Sequence, residues 1–202
     1  IGTDLDGTIV AHYGFISERT KIAFTAAYKA GIHMYFVTGR PIRWMVEIKE
    51  NFGFGTGICA NGALLYDFNN EKVLEEWLFP VDAQLETVKR LRQVLPNVSF
   101  AVEIGKDFNR EKKYVPRWDV GQDNVGVDKI EEVITKPALK MLARCGNGEY
   151  SSDEMLEIAT KELQGIASPT HSNISDSLLE ISADGVSKGA TLSKIAARHG
   201  LT

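Results

Sequence analysis

The chain has 202 residues, 44% hydrophobic and 25% charged, a composition that suits one large globular domain or two small ones with a sizeable core. Its formal net charge of −4 gives no general attraction to nucleic acid or an anionic membrane, and no run of about 18 apolar residues is present to span a bilayer. Cys59 and Cys145 stand alone, without CxxC or histidine-rich spacing, and read as buried free thiols of a reducing, cytoplasmic compartment.

The opening residues, IGTDLDGTIV, read as a strand broken by Gly7. The first residue is isoleucine, and fewer residues precede Asp4 than the about five of a typical strand, so the sequence is expected to start partway into that strand. Residues 17–31 form a predicted helix with Ser17 as its cap and Gly31 as its stop. The apolar run from Ile32 to Val37 is a predicted buried strand, and Pro41 suits the first turn of a helix over 41–53. GICANGALLYD gives two short strands around a hairpin-type turn at Asn61-Gly62, and KVLEEWLF a further strand. This alternation predicts a parallel sheet with crossover helices.

From Pro80 the texture changes. Residues 82–95 are an amphipathic helix and VSFAVEIG a strand. The polar stretch 106–124 reads as a loop or ragged hairpin, and ALKMLARC as a strand. Residues 151–165 are a helix and SLLEISA another strand. The order predicts a separate α+β domain over 80–183, inserted between a first part at 1–79 and a return segment at 184–202.

Three stretches carry chemistry. Asp4 and Asp6 sit at the carboxyl end of the first strand, where parallel sheets bind ligands, with side chains expected to point the same way. Two close carboxylates resist sharing full charge; a hard cation such as Mg²⁺ relieves this, or one acid holds a proton. Aspartate is also an accepted nucleophile. A solvated turn is the plainer alternative. VTGR at 37–40 ends a second strand, with the Thr38 hydroxyl, a close-approach backbone at Gly39 and a helix start that favours an anion. GVSKGATL at 185–192 places Ser187 as a helix cap and Lys188 in the first turn, where helix electrostatics disfavour a cation unless an anion sits beside it. His12, His33, His171 and His199 are scattered without ligand spacing.

DLDGT, VTGR and SKGATL in this order, with an α+β insertion before the third, resemble the haloacid dehalogenase superfamily, and more narrowly its Cof-type phosphatases with a type IIB cap; ANGA at 60–63 resembles that subgroup too. The resemblance implies an α/β fold with a Rossmann-like parallel-sheet core and an inserted α+β cap, and a phosphatase acting on small phosphorylated metabolites through an aspartyl-phosphate. Asp4 would be the nucleophile and Asp6 the acid and base. Mg²⁺ would be held by the Asp4 carboxylate and the Asp6 backbone carbonyl. Thr38, Gly39 and Lys188 would bind the phosphoryl group, with Arg40 and Asn61 as substrate contacts. The family's fourth string, of GDxxND type, should follow the Lys188 helix by one strand, and SADG at 182–185 precedes Lys188. The expectation is a piece of a longer protein, which alone binds Mg²⁺ weakly. A phosphomannomutase-like phosphotransferase and a non-catalytic binding module are the alternatives.

Overall fold

The computed structural model describes residues 1–11, 14–118 and 123–201; His12 and part of the polar stretch after Trp118 lie outside them. The chain divides into two compact units, one of residues 1–77 with 186–202 and the other of residues 78–185.

In the first unit, β1 (Gly2–Asp4) is followed by α1 (Glu18–Lys29), β2 (Tyr35–Val37), a 3₁₀ turn, α2 (Val46–Asn51), β3 (Thr56–Cys59), β4 (Leu64–Asp67) and β5 (Lys72–Glu76). The Ser17 hydroxyl caps α1 by accepting from the Thr20 N–H at 3.1 Å. The sheet order is β1-β2-β3-β4-β5. Asp4 pairs with Val37 and Val37 with Ile58 in parallel register, so the first three strands end on one edge. β4 and β5 run antiparallel to their neighbours, which makes the sheet mixed where alternation alone predicts a parallel one. The antiparallel pairs arise because the links β3–β4 and β4–β5 are too short for a crossover helix.

The predicted strand at 32–37 pairs only over Tyr35–Val37, since its parallel partner starts at Gly2, opposite Tyr35. The predicted helix at 41–53 is split. A 3₁₀ turn at Ile42–Trp44 and the short α2 are separated by Met45, which is 1% exposed and adopts φ −93, ψ 7. Val37, Ile58 and Leu65 bury one sheet face together with Ile195 of the returning segment. On α1 and around the sheet, Phe24, Phe36 and Phe52 form an aromatic cluster with centroids 5.1–6.3 Å apart.

The second unit opens with α3 (Val81–Val94), then β6 (Val98–Ile104), β7 (Asp107–Arg110), β8 (Lys140–Cys145), α4 (Ser152–Glu162), β9 (Ala167–Thr170) and β10 (Leu178–Ala183). Its sheet, in the order β7-β6-β8-β10-β9, is antiparallel throughout. Phe100 and Val102 of β6, Met141 and Ala143 of β8, and Leu179 and Ile181 of β10 are buried, as are Val88 and Leu91 of α3 and Met155 and Ala159 of α4. Ser151 and Glu154 form a capping box at the start of α4. β9 escapes the sequence pattern because it carries Pro169 opposite Ile181, tolerated at the edge of a sheet. The final helix α5 (Lys188–Arg198) belongs to the first unit. No helix among the described residues is long and apolar enough to cross a membrane.

Phe100 is fully buried. Phe100→Ala is expected to lower the stability of the second unit by about 3–5 kcal/mol, read as a shift of its urea midpoint.

Candidate active site

β1 stops at Asp4 because the chain reverses at once. The Leu5 carbonyl accepts from the N–H groups of Thr8, Ile9 and Val10, and the Gly7 N–H donates to the Val10 carbonyl at 2.9 Å. Gly7 takes φ +77, a left-handed value that glycine adopts freely. Leu5 is fully buried between the two aspartates. Asp6 therefore lies in a reverse turn beyond the strand, and the expectation that both acids point the same way along one strand gives way to two carboxylates on different local frames.

Each carboxylate has its own cation. Lys188 Nζ donates to Asp4 Oδ1 at 2.7 Å, with both side chains about 40% exposed. Lys188 is the first residue of α5, whose cap is the Ser187 hydroxyl accepting from the Ala190 N–H at 3.1 Å. The helix field opposes a cation there, and the Asp4 carboxylate offsets it. Arg40 Nε donates to Asp6 Oδ1 at 3.1 Å and Oδ2 at 3.0 Å, and Nη2 donates to Oδ1 at 2.5 Å. The hydrogen bond to Asp6 is the main reason the Arg40 pKa is raised.

The loops after β2 and β3 are stitched together. Thr38, 1% exposed, donates its N–H to the Ile58 carbonyl and accepts from the Asn61 N–H at its own carbonyl, while the Arg40 carbonyl accepts from the Ala60 N–H. The Thr38 hydroxyl oxygen accepts from the Arg40 N–H at 3.1 Å, which fixes the side chain and leaves the hydroxyl proton for another acceptor. Asn61 is 4% exposed, so its side chain is buried rather than displayed. Ala60, Asn61 and Gly62 all take positive φ. A Cβ on Gly62 would lie 2.5 Å from the Ser187 carbonyl oxygen, and Thr191 Oγ1 donates to the Gly62 carbonyl at 2.9 Å. The ANGA loop thus seats the helix that carries Lys188. Cys59, beside this loop, is no nucleophile, since burial pushes its thiol up to about 12.

All the sequence-predicted site residues lie in the first unit. Asp4 meets Lys188, Asp6 meets Arg40, and Thr38–Arg40 adjoin Asn61. Sequence reasoning missed Glu47, which accepts from Arg40 Nη1 at 3.3 Å, and the Gly62–Ser187–Thr191 seat. Charge spacing gave no signal for the first; the glycine in ANGA was the signal for the second. Among the described residues no group of three His, Cys, Asp or Glu side chains gathers to hold a metal. The two hard oxygen donors, the Asp4 carboxylate and the Asp6 carbonyl, have the chemistry of a Mg²⁺ site, because that ion is commonly held by one or two carboxylates with waters and substrate phosphate.

The family model for haloacid dehalogenase-like hydrolases matches residues 1–202. The chain belongs to the haloacid dehalogenase-like hydrolases. Among named relatives, it is 31% identical over 94 residues to the pyridoxal phosphate phosphatase YbhA of Escherichia coli (strain K12), covering 46% of this chain and 35% of that protein. It is 24% identical over 205 residues to the 5-amino-6-(5-phospho-D-ribitylamino)uracil phosphatase YcsE of Bacillus subtilis (strain 168), covering 100% of this chain and 72% of that one. Among solved structures, the subclass IIB sugar phosphatase BT4131 matches with a TM-score of 0.70 at 18% identity, over 100% of this chain and 76% of that one. That likeness establishes the α/β fold of the family.

Gly62→Ala in this hydrolase is expected to cost more than about 1 kcal/mol, because the left-handed backbone and the close carbonyl both oppose a Cβ. A thermal melt checks the loss, and a crystal structure checks the accompanying shift of Lys188.

Proposed function

We propose that the chain carries the catalytic centre of a Mg²⁺-dependent phosphomonoester hydrolase acting on small phosphorylated metabolites, sugar phosphates or similar, through an aspartyl-phosphate. The observation that carries this is the 2.7 Å contact between Lys188 and Asp4, which joins the first and third motifs at the strand edge that also holds Thr38. The names of YbhA, YcsE and BT4131 as phosphatases of phosphorylated small molecules support the substrate class.

Asp4 attacks phosphorus, and the ester oxygen leaves with a proton from Asp6. Water then attacks the aspartyl-phosphate, Asp6 takes its proton, and Asp4 is regained with free phosphate. Lys188 and the Thr38 hydroxyl hold phosphoryl oxygens, and the absence of a side chain at Gly39 allows close approach. Stabilising that developing charge with fixed donors supplies much of the rate gain. Asp4 and the Asp6 carbonyl would hold Mg²⁺, which neutralises charge between the phosphoryl group and the nucleophile when bound.

In the full-length protein, Asp4→Asn is expected to abolish phosphate release from a panel of sugar phosphates; persistent turnover would remove Asp4 as nucleophile. Lys188→Met should lower kcat about 100-fold without unfolding the protein. Chelation by EDTA should stop turnover and added Mg²⁺ restore it, and an unchanged rate in EDTA would rule out the metal requirement. Product analysis separates a phosphotransferase, which yields an isomerised sugar phosphate, and a binding module, which yields no product.

A further inference from the structure

We propose that Arg40, anchored by Glu47, is a positioning residue that fixes the Asp6 carboxylate for the hydrolysis of the aspartyl-phosphate. The inference rests on the hydrolase mechanism proposed for this chain, and it gives Arg40 a different task from a substrate contact.

Every nitrogen of the Arg40 guanidinium is engaged. Nε reaches both oxygens of Asp6 at 3.1 and 3.0 Å, Nη2 reaches Oδ1 at 2.5 Å, and Nη1 reaches Glu47 Oε2 at 3.3 Å on α2. The backbone of Arg40 is held as well, through Thr38 Oγ1 and the Ala60 N–H. The Arg40 side chain is 18% exposed, while that of Asp6 is 59% exposed. An exposed carboxylate in a turn would sample several rotamers, and the less exposed, doubly anchored partner restricts that freedom. A rigid planar fork is suited to this, since it grips a carboxylate in one plane. Glu47 holds the far end of the fork, so the grip does not depend on Asp6 alone. A group meant only to collect an incoming anion would not commit all three nitrogens to carboxylates of its own chain.

The guanidinium offers only donors, so Asp6 meets it as an acceptor at both oxygens. Oδ1 takes two N–H groups and Oδ2 one, which leaves Oδ2 the more open oxygen toward water. In the second half-reaction a water oxygen bonds to phosphorus, the bond from phosphorus to the Asp4 oxygen breaks with its electron pair returning to Asp4, and the water proton passes to Asp6. No further reactant is needed. Misplacing a reacting group by about 1 Å can cost about 100-fold in rate, which is the scale expected for losing the clamp.

p-Nitrophenyl phosphate isolates this step, because its leaving group departs without a proton. With it kcat/KM reports attack by Asp4, and kcat reports hydrolysis of the aspartyl-phosphate. Arg40→Met is expected to lower kcat about 100-fold and KM with it, leaving kcat/KM near the parent value and a burst of nitrophenolate before the slow phase. Glu47→Gln should move the same two constants in the same direction by less. Arg40→Lys should not rescue kcat, since a point charge cannot grip both oxygens. In an Asp6→Asn background, Arg40→Met should cause no further fall. A rise in KM at constant kcat, or an equal fall in kcat and kcat/KM, overturns the proposal in favour of a substrate contact or a purely structural role. Independently of turnover, the crystal structure of Arg40→Met should show the Asp6 carboxylate displaced, and an unmoved carboxylate also overturns it. If the parent protein hydrolyses no phosphate ester yet Asp6 moves in that crystal, the hydrolase mechanism fails and the clamp stands.

Discussion

Two carboxylates placed two residues apart at a sheet edge demand neutralisation, and the first unit is organised to supply it. Close like charges raise the cost of keeping both ionised, so each acid is met by its own cation. Asp4 meets Lys188 at 2.7 Å and Asp6 meets Arg40 through three contacts. Neither cation is free to drift. Lys188 rides on a helix capped by Ser187 and seated by the close approach of Gly62. Arg40 is tied by Thr38 and Ala60 through its backbone and by Glu47 through its side chain. Charges fixed in this way would need no reorganisation in the proposed reaction.

The second unit solves a different problem, covering a sheet with charged side chains on it. Lys140 and Glu180 lie largely buried, joined by a 2.5 Å hydrogen bond. Glu111, 3% exposed, accepts from the Phe100 and Ile130 N–H groups and pairs with Arg92. Such groups are tolerated in an interior only when paired and hydrogen-bonded. Tyr114 closes over the Ala101 and Leu142 positions, and burial pushes its phenol up to about 12, so it serves as a neutral wall.

Much of this was legible in the sequence because the informative residues sit at punctuation points. Ser17, Ser151 and Ser187 cap helices as their types suggest, and Asp–Gly, Thr–Gly–Arg and Ser–Lys mark the turns at which the side chains of the proposed site emerge. What stayed hidden depends on partners far along the chain. Ile32 and Met34 flank His33 as in a strand, but pairing begins only at Tyr35, where Gly2 and Thr56 stand opposite. Pro169 reads as a strand breaker until its place at the sheet edge is known. Residue types at the site were readable, whereas the wiring was not. Asp6 chooses Arg40 and Arg40 chooses Glu47 because a reverse turn and a short helix converge, and no local pattern encodes that convergence.

The contact between Asp4 and Lys188 spans 184 positions of sequence, and the whole of the second unit lies between them. Closing so long a loop carries an entropic cost and slows folding. The second unit is continuous in sequence and can assemble from neighbouring segments. The first must wait for helix α5. As the chain emerges from the ribosome, the insertion can therefore organise before the pairing of Asp4 with Lys188, and the proposed site is completed only after the whole of the second unit has been made.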